Sequence, residues 1–282
     1  MKKEITLLDG AVGTSLWKKA EDRGLEKVPV WRYNIEHPEL VFELCREYID
    51  AGSKIILGNT FGANRDSVRR ASDHSAGEVV REGIKICKEA AKGTDVRVGL
   101  SIGPLSTLLE PYGDTTEEEA TEIFSEQISA GMDAGADIIC IQTFMDVEMT
   151  KLAAKVAKSY SVPVFCTMTF EKVGKTIMGN SVRDCIEALE PLGVDAIGMN
   201  CSLGPDLALP VIREFKENTN LPLIFKPNAG KPKMSPDGKT VTDYDAKVFA
   251  KEIAPALEFV DYVGGCCGCD PEYVRELNKL LK

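Results

Sequence analysis

A chain of 282 residues with 44% hydrophobic and 28% charged residues is long enough for one large domain with a sizeable core. A formal net charge of −10 and a pI near 5.0 exclude the basic face that nucleic acid or an anionic lipid surface demands. No apolar run approaches the roughly 20 residues of a membrane helix, and Met1-Lys2-Lys3-Glu4-Ile5 runs into a strand-like segment without the marks of a signal peptide. A cytoplasmic protein is expected.

Short β-rich runs alternate with amphipathic helical stretches along the whole chain. The predicted strands are 5–9, 54–58, 96–101, 137–142, 164–169, 196–200, 223–226 and 262–265. Most are continuous apolar runs, as expected when helices cover one face and barrel packing fills the other. Predicted helices fall between them at 38–51, 75–92, 115–135, 146–159, 182–192, 206–218, 243–259 and 271–281. Leu40, Val41, Leu44, Tyr48 and Ile49 keep helical spacing in the first of these, and Gly52, Gly135 and Gly193 follow three others as stop signals. Threonines and glutamates open the 115–135 stretch, which suits the positive end of a helix dipole.

Strands regularly alternating with helices imply parallel pairing through right-handed crossovers. Eight units in a chain this long favour a single (β/α)8 TIM-type barrel spanning residues 1–282, since such barrels need about 250 residues. Two stretches are longer than a tight βα loop requires: 14–37 after strand one and 228–242 after strand seven. Both belong on the C-terminal face, where barrel active sites are built.

The unusual residues collect at strand ends. Asp9-Gly10-Ala11 ends strand one, Asn59-Thr60 strand two, Ser101 strand three, Gln142-Thr143 strand four, Asn200-Cys201-Ser202 strand six, Pro227-Asn228-Ala229-Gly230 strand seven, and Gly264-Gly265-Cys266-Cys267-Gly268 strand eight. Nine cysteines, an odd count, leave no complete disulfide framework, so reduced thiols and metal ligands are expected. Cys201 and Cys266 stand 65 positions apart, which matches no local zinc-finger spacing. A barrel brings them together, because strands six and eight flank strand seven. Three thiolates suit Zn²⁺ at about 2.3 Å and leave the fourth tetrahedral position open for a substrate thiol. A thiol entering there loses its proton at neutral pH.

Plainer readings stand beside these. Cys45, Cys87, Cys140, Cys166 and Cys185 sit within helical or strand patterns and read as buried thiols. Asp9 could simply form a turn with Gly10, and Asn59 and Thr60 could satisfy loop backbone groups. Gln142 ends an apolar strand, and a buried amide needs partners. His37 and His74 read as structural or solvated. The glycine-rich loops after strands seven and eight could cradle a phosphate, but that leaves the paired cysteines unexplained.

Across residues 9–268 the chain resembles the homocysteine S-methyltransferase family, and within it the homocysteine-binding domain of cobalamin-dependent methionine synthase. The resemblance is carried by Asp9-Gly10-Ala11-Val12-Gly13-Thr14, Gly58-Asn59-Thr60-Phe61, Ser101-Ile102-Gly103-Pro104, Gly198-Met199-Asn200-Cys201-Ser202-Leu203-Gly204-Pro205, Pro227-Asn228-Ala229-Gly230-Lys231-Pro232 and Gly264-Gly265-Cys266-Cys267-Gly268. It implies a zinc ion on Cys201, Cys266 and Cys267 and an acceptor thiolate as fourth ligand. It further implies Asp9 near the acceptor's amino group, backbone amides of the Gly10–Ala11 loop near its carboxylate, and Asn228 as an exchangeable oxygen ligand. Asn59, Thr60, Ser101 and Gln142 complete the expected substrate contacts.

The chain departs from that pattern in three ways. Gln142 stands where the family usually has a glutamate that holds the acceptor's ammonium; losing such a charged hydrogen bond costs roughly 1.5–3 kcal/mol, enough to change substrate preference. Cys269 stands where threonine is more common. No Asp-x-His-x-x-Gly corrinoid motif follows the barrel. The expectation is therefore a zinc-dependent thiol S-methyltransferase, with homocysteine as acceptor and a methyl-corrinoid on a separate protein as donor. The alternatives are another small thiol, S-methylmethionine as donor, or a non-catalytic zinc- and thiol-binding subunit of a corrinoid complex.

Overall fold

The computed structural model describes residues 4–230, 233–234 and 240–282. Lys231 and Pro232 of the Pro227–Pro232 motif lie outside the described residues. Eight strands carry the fold: β1 (Thr6–Leu7), β2 (Ile55–Leu57), β3 (Arg97–Ile102), β4 (Ile138–Phe144), β5 (Val164–Met168), β6 (Ala196–Asn200), β7 (Leu223–Lys226) and β8 (Tyr262–Val263). They form one parallel sheet in the order β1-β8-β7-β6-β5-β4-β3-β2. A parallel bridge between Leu8 and Ile55, with Lys54 N–H donating to Leu7 O at 2.7 Å, draws the two ends together into a barrel.

Alternation along the strands separates two apolar regions. Leu8, Leu57, Cys140, Phe165 and Ile224 point inward and fill the barrel. Phe124, Phe144, Phe215 and Phe249 belong to the larger core between sheet and helices. The helices form where the spacing predicts them: Pro38–Ala51 and Pro271–Leu281 match residue for residue, and Ala76–Ala91 and Glu117–Asp133 within two. Thr116 and Glu119 close a reciprocal capping box at the start of the last of these.

The long stretch 14–37 is largely helical, which its sequence does not announce. It contains the helix Gly13–Asp22, a 3-10 turn at Val30–Arg32 and a short helix at Tyr33–Glu36. The first helix has no side-chain cap and opens on glycine, so it lacks a start signal; burial of Leu16 and Ala20 holds it instead. Within 228–242, Lys233–Met234 pairs antiparallel with Thr240–Val241. Among the described residues no helix is long and apolar enough to cross a membrane.

Aspartates just before alternate strands tie the N-terminal end of the barrel. Asp137, Asp195 and Asp261 accept hydrogen bonds through Oδ2 from the amides of Val98, Val164 and Leu223 at 2.7, 2.8 and 2.8 Å. Each carboxylate thus satisfies an amide of the preceding strand that the parallel ladder leaves open. Asp195→Ala orphans the amide of fully buried Val164 and should lower stability by about 1–3 kcal/mol in denaturant unfolding.

Candidate metal and thiol site

β6 ends on Asn200, Cys201 follows it directly, and the loop after β8 carries Cys266 and Cys267. Both segments are fastened to the chain end of β7. Cys201 N–H donates to Lys226 O at 3.1 Å, Cys266 N–H to Pro227 O at 2.8 Å, and Ala229 N–H to Cys267 O at 3.0 Å. The three Sγ atoms consequently lie within 4.8 Å of one another, with Cys201 and Cys267 sulfurs 3.7 Å apart. Cys201 and Ser202 adopt left-handed backbone, φ 64° and 55°, a conformation that costs a non-glycine residue on the order of 1 kcal/mol. The turn is held by Leu203 N–H to Cys201 O at 2.7 Å and Asn228 N–H to Leu203 O at 2.9 Å.

The Gly264–Gly268 loop needs its glycines mostly for room. A Cβ on Gly264 would sit 2.6 Å from Asp9 O, and one on Gly265 2.3 Å from Cys269 Cβ; only Gly268, φ 82°, needs the left-handed angle. Against this loop packs the first one: Ala11 N–H donates to Cys269 O at 2.8 Å, and buried Tyr48 donates through its hydroxyl to Ala11 O at 2.8 Å.

Asn200 organises the rear of the cluster. Fully buried, it accepts through Oδ1 from Thr143 N–H and Thr167 Oγ1, both at 2.8 Å. Its Nδ2 donates to Thr143 Oγ1 at 2.6 Å and points at Cys266 Sγ, 3.6 Å away. The Thr143 amide is available because β4 bulges between Ile141 and Phe144, with Thr143 itself at φ 64°. That bulge presents Gln142, which donates to Ser101 Oγ at 2.6 Å. Gln142 lines a small cavity of about 20 Å³ with Leu57, Cys140, Phe165, Thr167 and Lys226.

The other expected contacts sort clearly. Asp9 is fully buried; Oδ1 accepts from Lys226 Nζ and Oδ2 from Leu57 N–H, each at 2.7 Å. Burial alone would lower the Lys226 pKa, but the Asp9 carboxylate outweighs it and holds the ammonium above its ordinary value. Asn59 and Thr60 are not brought to the cluster: Asn59 donates to Val30 O and Asn34 Oδ1, and Thr60 Oγ1 braces Ser101 through both its amide and its carbonyl. Asn228 Oδ1 is buried with no hydrogen-bond partner, an orphan acceptor in the segment that holds Cys267. Cys269 is buried beneath the cluster and outside it, its sulfur 3.8 Å from Pro227 O. Cys45, Cys87, Cys140, Cys166 and Cys185 are all buried free thiols. Lys226, Asn200's network and Tyr48 carry much of the site, and no local motif marks Lys226 or Tyr48 in the sequence.

The cluster thiols hold their protons without a metal. For Cys201, a bond to Cys266 lowers the pKa, but the bond to Cys267 and burial carry it to about 11. Cys266, raised chiefly by its bond to Cys201, reaches about 12; Cys267, lowered by Cys201 but raised by Cys266 and burial, also reaches about 12. Three sulfurs at this spacing, with the orphan Asn228 oxygen one residue before the amide that holds Cys267, form a donor set that fits Zn²⁺.

A parallel eight-stranded α/β barrel with three thiols gathered at the C-terminal ends of β6 and β8 defines the class of molecule. The sequence profile described as Homocysteine S-methyltransferase matches residues 6–281, and the chain belongs to that family. It is 30% identical over 294 residues to a methionine synthase of Mycobacterium leprae (strain TN), covering 95% of this chain and 24% of that protein. It is 27% identical over 301 residues to betaine–homocysteine S-methyltransferase 1 of Mus musculus, covering 99% and 72%. The chain thus spans about a quarter of the methionine synthase it matches. Among solved structures, the metallated form of the homocysteine methyltransferase MmuM from Escherichia coli shares the fold, with a TM-score of 0.81 at 22% identity, covering 99% of this chain and 96% of that one.

Purified protein should carry about one zinc per chain, and serine at Cys201, Cys266 or Cys267 should each remove most of it, because three ligands leave no spare. Cys269→Ser should leave the content unchanged; full zinc in two of the three cluster variants refutes the ligand set. Because the metal-free thiols are protonated well above neutrality, zinc uptake at pH 7 should release close to three protons per ion, and affinity should fall as pH is lowered. Asn200→Leu strips both the Thr143 amide and the Thr167 hydroxyl of their acceptor; it should cost about 2–4 kcal/mol in unfolding and weaken metal binding.

Proposed function

We infer that the chain is a zinc-dependent thiol S-methyltransferase. The observation that carries this reading is the three-sulfur cluster at the barrel mouth, with an orphaned Asn228 Oδ1 in the segment that holds Cys267. Cys201, Cys266 and Cys267 would hold the metal, and Asn228 could offer it an oxygen while the acceptor is absent. Zinc bound there favours the thiolate form of an entering thiol at neutral pH.

The chain's own residues do the rest. The bulge at Gln142–Thr143 and the Asn200 network fix the wall behind Cys266, so the acceptor sulfur meets a preformed surface. Leu57, Cys140 and Phe165 below Gln142 pack the barrel interior and close it to water beneath the acceptor. In the transfer, the acceptor sulfur forms a bond to the methyl carbon while the donor's bond to it breaks, the electron pair leaving with the donor. Alignment of the two partners supplies much of the rate.

The acceptor class is a small thiol, and homocysteine, named in the profile and the relatives, is the first to test. Likeness to a methionine synthase supports a methyl-corrinoid on a separate protein as donor, with S-methylmethionine second. The metallated MmuM structure supports a metal in the same fold.

A screen of zinc-loaded protein against methylcobalamin and S-methylmethionine, each with several thiols, should yield a methyl thioether by mass spectrometry. Absence of transfer in every pairing, with zinc and thiol both bound, refutes the enzyme and leaves a binding subunit. Calorimetry in buffers of different ionisation enthalpy should show close to one proton released per acceptor bound. Clear binding with no proton release means the thiol does not enter as thiolate.

A further inference from the structure

Among the described residues, the polar layer beneath the cluster contains one carboxylate and one cation, and they are already joined. Lys226 Nζ donates to Asp9 Oδ1 at 2.7 Å, the two side chains being 5% and 1% exposed. Asp9 Oδ2 is occupied by Leu57 N–H. The remaining side chains of the layer, Ser101, Gln142, Thr167 and Asn200, carry no charge and are bonded to one another in two groups: Gln142 to Ser101, and Thr167 to Asn200. Gln142 and Lys226 line the same cavity.

A ligand ammonium entering so enclosed a space needs an anion facing it, because a desolvated cation without one is heavily penalised. Here the charge of the Asp9 carboxylate is cancelled by a lysine on β7. An incoming ammonium would find a neutral amide at Gln142 and a like charge at Lys226. The lysine therefore occupies, from within the protein, the role that an acceptor's amino group would play. An ammonium has three donors, and Asp9 takes one of those on Lys226. The others suit an anionic tail.

We propose that Lys226 is a specificity-determining residue, and that the acceptor is a small mercaptocarboxylate bearing no ammonium group. The proposal rests on the thiol-binding reading of the site given above. Homocysteine and 4-mercaptobutanoate differ only by the amino group, so their comparison isolates the charge that Lys226 and Gln142 select against.

Isothermal titration of zinc-loaded protein should show 4-mercaptobutanoate binding about tenfold or more tightly than homocysteine, the scale of one charge-assisted hydrogen bond. Lys226→Met releases the Asp9 carboxylate to face a ligand cation and should shift the ratio toward homocysteine by a similar factor. Gln142→Glu leaves the ion pair intact, supplies a new carboxylate, and should shift the ratio the same way, so the test survives if the lysine variant does not fold. Homocysteine bound as tightly as its desamino analogue by the wild type overturns the proposal, as does a ratio unmoved in the folded variants. Binding of neither thiol at full zinc content overturns the thiol-site reading itself, and this inference with it.

Discussion

Everything at the barrel mouth hangs on β7. Cys201 and Cys266 come from segments on either side of that strand, and each is held by a backbone amide donating to it, at Lys226 O and Pro227 O. Parallel strands in a closed barrel keep neighbouring C-terminal ends a few ångströms apart, so these two bonds fix the separation of the sulfurs before any metal binds. The same strand end carries the Lys226 side chain inward to Asp9 and continues into Asn228 and Ala229, which grips Cys267. One short strand therefore sets the spacing of the thiols, the charge of the floor and the position of the orphan oxygen.

The cost of that arrangement is local strain. Cys201, Ser202 and Thr143 are the three non-glycine residues at positive φ among those described, and all three border the cluster. Each is over-determined by neighbours: Thr143 by both its amide and hydroxyl bonds to Asn200, Cys201 by its bond to Lys226 O and by the turn closed from Leu203. Strain concentrated where several hydrogen bonds converge is the mark of a preorganised site rather than of a flexible one.

Much of this was legible in the sequence, for identifiable reasons. The barrel followed from periodicity, because buried parallel strands are continuous apolar runs and their helices end on glycine. The three clustered thiols could be read from strand ends alone, since closure brings every strand end to one face. What escaped depends on three-dimensional pairing. The helix Gly13–Asp22 carries no capping signal, and tertiary burial decides it. Asn59 and Thr60 sit at a strand end like the others, but side-chain direction turns Asn59 toward Asn34 and Val30 and commits Thr60 to Ser101. The reason for Gly264 and Gly265 is likewise invisible in the sequence, because it is space against Asp9 and Cys269, which only the packed fold reveals.

Lys226 shows the limit most sharply. In sequence it ends an apolar strand and precedes a Pro-Asn-Ala-Gly segment, where a lysine is easily taken for a solvated residue at a loop entrance. Its meaning lies 217 positions away in Asp9, across β8, the strand that separates β7 from β1. Read alone, Asp9 is an anion awaiting a cation and Gln142 a single missing charge. Joined to Lys226, Asp9 ceases to be available, and the two changes act in the same direction: the floor of the site becomes neutral. A family scaffold can thus keep its three thiols and its strand-end loops while one side chain of the strand that holds them rewrites the charge beneath, because the backbone of β7 spaces the sulfurs and the Lys226 side chain neutralises Asp9 independently of it.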